Sequence, residues 1–304
     1  PLWRARIYPD KADLTFLLSN AVGLGFGNDY FGRMVLALAD AAREEGVRTG
    51  FALFDPNCDY TEDNLAFPPG TTEGLSNKFV IAGPVNHTLV NSLMQQGSAL
   101  VFLSRASGIP GTVSIVPDYC SAAAKAIEML YAHGHRRIAV AGAHYYRDAG
   151  YNFQQLRRGA LKAAKDLALP LSDHDIHISS QRKIFDNPDF LKGILSKKDN
   201  YSAVFCLDDS TAHALYLQAE MLGLKIPEDI SLVGCNDESV ASILRPSLST
   251  IHFPVRRMGR LALQESLRVI REGHPEKDEI IVLPTAPILR QSIHQVSSNR
   301  SFDD

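Results

Sequence analysis

Two clusters in the second half of the chain carry side chains of types that do chemistry. Asp208 and Asp209 follow the apolar run Ala203 to Leu207. Asn236, Asp237 and Glu238 follow Ile230 to Val233, a β-branched run closing on Gly234. Paired carboxylates are the tools of glycoside hydrolysis. Polar groups just past a buried strand of an open α/β sheet are placed to read a ligand instead. Asp209 opens a helix, where an acidic residue is a structural cap as often as not, and nothing in the sequence sets these carboxyls in the apolar surroundings a general acid needs. The pattern therefore favours ligand reading over hydrolysis, with Asn236 as a candidate contact. A third segment, Gly23-Leu24-Gly25-Phe26-Gly27, invites comparison with a dinucleotide fingerprint. Its sixth position is Asn28 and it lies well past the strand end, so it reads as a flexible glycine-rich connection and no cofactor is expected.

These residues need strands to present them, and the chain supplies strands alternating with helices twice over. Asp13 to Leu18 is a first strand. The pattern Met34, Leu38 and Ala41 or Ala42 makes a helix from near Tyr30 to Gly46, capped by Asn28 or Asp29, and Val47 to Phe54 completes a right-handed β-α-β unit. Between the turns at Pro56 and Pro69 only Glu62 to Phe67 is helix-compatible. Strands follow at Lys78 to Gly83, Leu100 to Ser104 and Val113 to Val116, with a helix from His87 to Gln96. Asp118 stands just beyond the last of these strands. A helix from Ala122 to His133 stops at Gly134, and a strand starts after His135, Arg136 and Arg137, which read as its solvated entry. Helices over 153–167, 190–195 and 211–222 alternate with strands at 176–179, 203–207 and 230–233. A helix from Arg256 to Arg271 offers Met258, Leu261, Leu267 and Ile270 to a core, then comes a strand at Ile280 to Leu283 and a polar tail from Ser297.

Composition excludes several classes. The 304 residues hold 31 Lys plus Arg against 34 Asp plus Glu, with no basic stripe of the kind that wraps nucleic acid. Cys58, Cys120, Cys206 and Cys235 are widely spaced and form no C-x-x-C pair; Cys206 and Cys235, inside predicted strands, read as small hydrophobes, and a reducing compartment follows, with no metal expected. No apolar stretch reaches membrane-spanning length, and Pro1 to Lys11 lacks the apolar core of a secretory signal. Opening on Pro1 suggests a trimmed or mature fragment.

Several stretches together resemble the effector-binding core of transcription regulators of the LacI/GalR (lactose-repressor/galactose-repressor) family. Ile230-Ser231-Leu232-Val233-Gly234-Cys235-Asn236-Asp237 is similar to that family's Ile-Ser-Val-Val-Gly-Phe-Asp-Asp, and Pro246-Ser247-Leu248-Ser249-Thr250-Ile251 to its Pro-x-Leu-Thr-Thr-Ile. Asn28-Asp29-Tyr30-Phe31, the Gly134-His135-Arg136-Arg137-Ile138 run, Gly223-Leu224-Lys225-Ile226-Pro227-Glu228-Asp229 and Leu289-Arg290-Gln291-Ser292 match further elements. The resemblance implies an α/β fold of two doubly wound, parallel-sheet, Rossmann-like subdomains, like type I periplasmic binding proteins. It places an N-terminal subdomain over 12–134 plus 253–273 and a C-terminal one over 135–252 plus 274–296, with crossovers near Gly134, Ile251 and Gly273. It implies a cytoplasmic bacterial regulator, not an enzyme, in which a small effector bound between the subdomains controls operator DNA through a helix-turn-helix domain absent from this chain. A homodimer is implied, and no membrane. A periplasmic sugar-binding protein of a transport system is the alternative.

On this reading Asp118, Asp208 and Asn236 read effector hydroxyls from strand ends, and Asn20 follows the first strand in the same way. Tyr30 stacks on the ligand, with Phe31 beside it as either a stacking or a core ring. The family's Arg-x-x-Gly-Phe motif has Leu156 where its anchoring Arg belongs, counting back from Gly159, and Arg157 is the nearest substitute. Phe253, a further expected contact, stands where the family often has a polar residue, which points to an effector needing more stacking and fewer hydrogen bonds. A neutral sugar is expected over a phosphorylated one.

Overall fold

The computed structural model describes residues 13–22, 28–60, 76–143, 150–181, 184–196 and 201–296. The glycine-rich segment 23–27, the helix-compatible piece Glu62 to Phe67 and the tail from Ser297 lie outside them. In chain order the elements are β1 (Leu14–Ser19), α1 (Asp29–Glu44), β2 (Thr49–Phe54), β3 (Lys78–Ala82), α2 (His87–Gln95), β4 (Ala99–Leu103) and β5 (Val113–Pro117). Next come α3 (Tyr119–Ala132), β6 (Ile138–Gly142), α4 (Tyr151–Asp166), β7 (Ile176–Ile178), α5 (Pro188–Leu195), β8 (Ala203–Cys206), α6 (Asp209–Met221) and β9 (Ser231–Asn236). The chain ends with α7 (Ser239–Ile243), β10 (Ser249–His252), α8 (Val255–Glu272), β11 (Glu279–Leu283) and β12 (Ala286–Ile288). The expected strands and helices form, most within two residues of the sequence reading. The short helix α7 and the strand β12 are additional.

These elements divide into two units, residues 1–117 with 254–283 and residues 118–253 with 284–304. The first holds a sheet of order β11-β5-β4-β3-β1-β2, parallel throughout. Its central strands β1, β3, β4 and β5 are buried on both faces almost without interruption, as continuous apolar runs in a covered parallel sheet must be. Leu17, Phe79, Ile81 and Phe102 pack with Leu89, Val90 and Leu93 of α2. On α8 the inward stripe is Val255, Met258, Gly259, Ala262, Leu263, Ser266 and Val269. Of the residues expected there only Met258 is fully buried, and Ile270 is exposed. The small residues on this stripe let α8 lie against α1: a Cβ on Gly259 would stand 2.5 Å from the Met34 carbonyl.

The second unit holds a sheet of order β12-β10-β9-β8-β6-β7, parallel except that β12 runs antiparallel to β10. Two elements fall differently from the sequence expectation. Helix α3, expected to close the first subdomain, packs in the second unit along α4. Contact is close because α4 offers Gly159, Ala160 and Ala163. A Cβ on Gly159 would come within 2.0 Å of the Cys120 carbonyl oxygen, and Lys125 Nζ donates to the Thr285 carbonyl at 2.7 Å. Strand β11, expected in the second subdomain, joins the first sheet beside β5. Asp278 fixes it there by accepting from the Gly108 N–H at 2.9 Å and the Ser114 hydroxyl at 2.8 Å.

The strand entry at 135–137 also differs. His135 is buried, with Nδ1 2.9 Å from the Ser202 hydroxyl, while Arg136 lies over the Tyr131 ring. Burial is the main cause that lowers the His135 pKa from 6.5 to about 4. The folded state therefore holds a neutral imidazole over a range in which the unfolded chain takes up a proton. Stability from this group is intact above about pH 6.5 and drains away as pH falls toward 4, by roughly 3 kcal/mol in all. Denaturant midpoints measured between pH 4 and 7 should fall more steeply for the parent chain than for His135→Leu; parallel curves would contradict the assignment.

Candidate functional site

The carboxyl edge of the second sheet collects polar side chains from three strands. After β8, Asp208 caps α6: its Oδ1 accepts the Thr211 N–H at 2.7 Å and its Oδ2 the Thr211 hydroxyl at 3.1 Å. Asp209, the first helical residue, turns inward and is fully buried. Its Oδ1 accepts from the Thr250 hydroxyl on β10 and its Oδ2 from the Glu238 N–H after β9, both at 2.7 Å. This carboxyl occupies space that any side chain at 234 would fill, since a Cβ on Gly234 would sit 2.0 Å from Asp209 Oδ1. Burial pushes the Asp209 pKa well above the ordinary carboxylate range, and the charges of Glu238 and Asp208 add to it.

Beyond Gly234 the backbone turns through two residues of positive φ, Asn236 at 105° and Asp237 at 53°. Asn and Asp tolerate this better than other L residues, and such conformations gather at ligand sites. Asn236 Nδ2 donates to Glu238 Oε1 at 2.9 Å. Asp237 accepts from Arg290 Nη2 at 2.7 Å through one oxygen and from His252 Nδ1 at 2.9 Å through the other. Burial alone would raise the Asp237 pKa, but its hydrogen bonds to Arg290 and His252 outweigh that and hold it below 3.8. Asp118 caps α3 by accepting the Ser121 N–H at 2.9 Å through Oδ1 and is half-buried.

The other expected contacts are placed less favourably. Phe253 is 2 % exposed and meets Tyr119 edge-on at 5.4 Å, a core contact. Arg157 is engaged on the surface by both oxygens of Asp173, so it does not replace the family's anchoring Arg; Leu156 is buried in its stead. Asp208 has both oxygens occupied by Thr211. In the first unit, Asn20 is exposed just past β1 and its N–H donates to the Phe54 carbonyl at 2.8 Å. Tyr30 is 6 % exposed, with its hydroxyl 2.9 Å from that of Ser104, which leaves its ring little surface for the stacking expected of it, while Phe31 beside it is half-buried. Ser104 itself has φ 67° at the end of β4. Of the expected residues in the second unit, Asp118 and Asn236 keep the strongest claim to a ligand. His252 and the buried Asp209–Thr250 contact were not foreseen; the signal for them was the pairing of β10 with β9, which sets His252 opposite Asn236.

Among the described residues no group of His, Cys, Asp and Glu side chains could hold a metal ion, and no helix is long and apolar enough to cross a membrane.

Comparison with known proteins agrees with this architecture. The model of the periplasmic binding protein-like domain matches residues 127–293. The chain is 29 % identical over 163 residues to the ribose operon repressor of Haemophilus influenzae, covering 54 % of this chain and 48 % of that protein. It is 29 % identical over 172 residues to the HTH-type transcriptional repressor PurR of Vibrio vulnificus, covering 57 % and 50 %. It thus spans about half the length of these curated relatives. A LacI family transcriptional regulator from Enterococcus faecium with bound ribose superposes with a TM-score of 0.78 at 20 % identity, covering 93 % of this chain and 100 % of that one. The chain belongs to the periplasmic binding protein-like domain family.

Because burial raises the Asp209 pKa, folding favours its protonated form more than the unfolded chain does. Stability is greatest below the ordinary carboxylate pKa of 3.8 and is lost as pH rises above it. Asp209→Asn, which can still accept from Glu238 and donate to Thr250, should therefore be neutral or stabilising by about 1 kcal/mol at pH 7. A loss of more than about 2 kcal/mol in chemical denaturation would mean that an ionised carboxylate is required.

Proposed function

We propose that this chain is the ligand-sensing core of a bacterial LacI-type transcription regulator. It binds a small effector, a neutral sugar or related polyol, and thereby sets the operator affinity of a helix-turn-helix domain that these residues do not include. The observation that carries the reading is the pair Asn236 and Asp237, held in positive φ past β9 by Glu238, His252 and Arg290. Such a turn costs about 1–3 kcal/mol per strained residue, and a ligand-reading role explains why it is kept. Asp118 and Asn236, both in the second unit, are the proposed contacts, each by hydrogen bonds.

The same residues argue against turnover. Asp208 is occupied by its cap and Asp209 is buried against Thr250, so neither is placed as nucleophile or general acid. The relatives' names favour a regulator over a transport protein, and a cytoplasmic location accompanies that role. The active unit is proposed to be a homodimer, because each half of an operator needs its own reader. Leu217 and Met221, one turn apart on α6 and 44 % and 78 % exposed, offer an apolar face for it.

A thermal-shift screen with D-ribose, other pentoses and hexoses, disaccharides and their phosphates tests the proposal. A binding sugar at about one hundred times its Kd should stabilise the fold by about 2.7 kcal/mol and raise the melting temperature by at least about 5 °C. Asn236→Ala should abolish that rise. A panel in which no sugar moves the transition would refute the reading.

A further inference from the structure

His252 is the last residue of β10, in register with Asn236, the last residue of β9. Its Nδ1 meets one oxygen of Asp237 at 2.9 Å, and the other oxygen of that carboxyl accepts from Arg290 Nη2 at 2.7 Å. Arg290 is itself tied down, its Nη1 donating to the Leu248 carbonyl at 2.8 Å. A carboxylate paired with a guanidinium has no proton to give, so the proton of the His252 contact must reside on Nδ1. In a neutral imidazole the other nitrogen is then a lone-pair acceptor. That nitrogen, Nε2, has no hydrogen-bond partner among the described residues, and the side chain is 41 % exposed. Beside it, the Asn236 amide is oriented by the same logic, because Glu238 Oε1 accepts its Nδ2 protons. Two adjacent strand ends thus carry polar groups whose hydrogen-bonding sense is fixed by a neighbouring carboxyl.

We propose that His252 is a ligand-contacting residue, its Nε2 accepting a hydrogen bond from a hydroxyl of an uncharged polyol. The inference rests on the ligand-sensing reading above and names the chemistry of that ligand at one position: a donor, not an anion. A carboxylate or a fully ionised phosphate monoester has no proton to offer Nε2, and any anion would meet the negative ends of Asp237 and Glu238. An uncharged hydroxyl satisfies the lone pair without that repulsion. The Asp237 contact has a second effect, in that it holds the ring in one orientation before the ligand arrives and so lowers the ordering cost of binding.

The test uses the full chain labelled with 15N at histidine and read by long-range proton–nitrogen NMR near pH 7.5, with the His252 signals assigned by their loss in His252→Gln. The expected result is a protonated Nδ1 and an unprotonated Nε2, with the Nε2 resonance moving when D-ribose, or whichever sugar of the panel raises the melting temperature most, is added. Calorimetry should show that His252→Phe weakens that sugar roughly tenfold, whereas His252→Gln, whose amide oxygen can accept, keeps most of the affinity. An Nε2-protonated ring in the ligand-free chain overturns the proposal whether or not any sugar binds. A sugar that raises the melting temperature, leaves Nε2 unmoved and binds His252→Phe as tightly as the parent also overturns it, while the ligand-sensing role stands. If no sugar in the panel binds, both fall together.

Discussion

The carboxyl edge of the second sheet depends on one buried contact, the Asp209 side chain wedged between β9 and β10. Its two oxygens take the Thr250 hydroxyl and the Glu238 backbone N–H, so one group joins the first turn of α6 to two neighbouring strands. The wedge fits only because position 234 is glycine, which leaves the room that any Cβ would take. A charged carboxylate there is costly, and burial accordingly raises its pKa. From this point outward the remaining polar groups are ordered: Glu238 is fixed through its backbone, Asn236 through Glu238, and Asp237 through Arg290 and His252.

This arrangement explains a difference from the family pattern. Where the resemblance leads one to expect two consecutive Asp residues, the chain has Asn236 followed by Asp237. With Glu238 accepting from the side chain at 236, an Asp at that position would set two carboxyls against each other. An amide instead gives Glu238 a donor without adding a second charge. Leu156, buried where the family carries its anchoring Arg, removes a cation from the same unit. Both changes accord with the uncharged ligand proposed above.

Much of the fold was legible in the sequence because parallel strands buried on both faces leave continuous apolar runs, and because Asn28 caps the helix it precedes. Membership of units was harder to read. The choice of partner for α3 lies in the alanine and glycine face of α4, and that of β11 in the hydrogen bonds to Asp278. Neither leaves a periodic signal along the chain. At the carboxyl edge, Asn236 and Asp118 could be singled out because each stands at the end of a buried apolar run. His135, Tyr30 and Phe253 were misjudged because their burial is decided by Ser202, Ser104 and Tyr119, residues distant in sequence. Arg157 failed for a similar reason, since an arginine on a helix surface pairs with whichever carboxylate the next loop brings. His252 left no local mark, and only its strand pairing reveals it.

The claim that most needs testing is that a ligand is read at the ends of β9 and β10. Hydrogen–deuterium exchange of the chain with and without a binding sugar addresses it directly, because backbone amides in contact with a ligand open less often. The account predicts slowed exchange across Asn236–Glu238 and at His252. Protection confined to other parts of the chain, with these amides exchanging at the ligand-free rate, would contradict it.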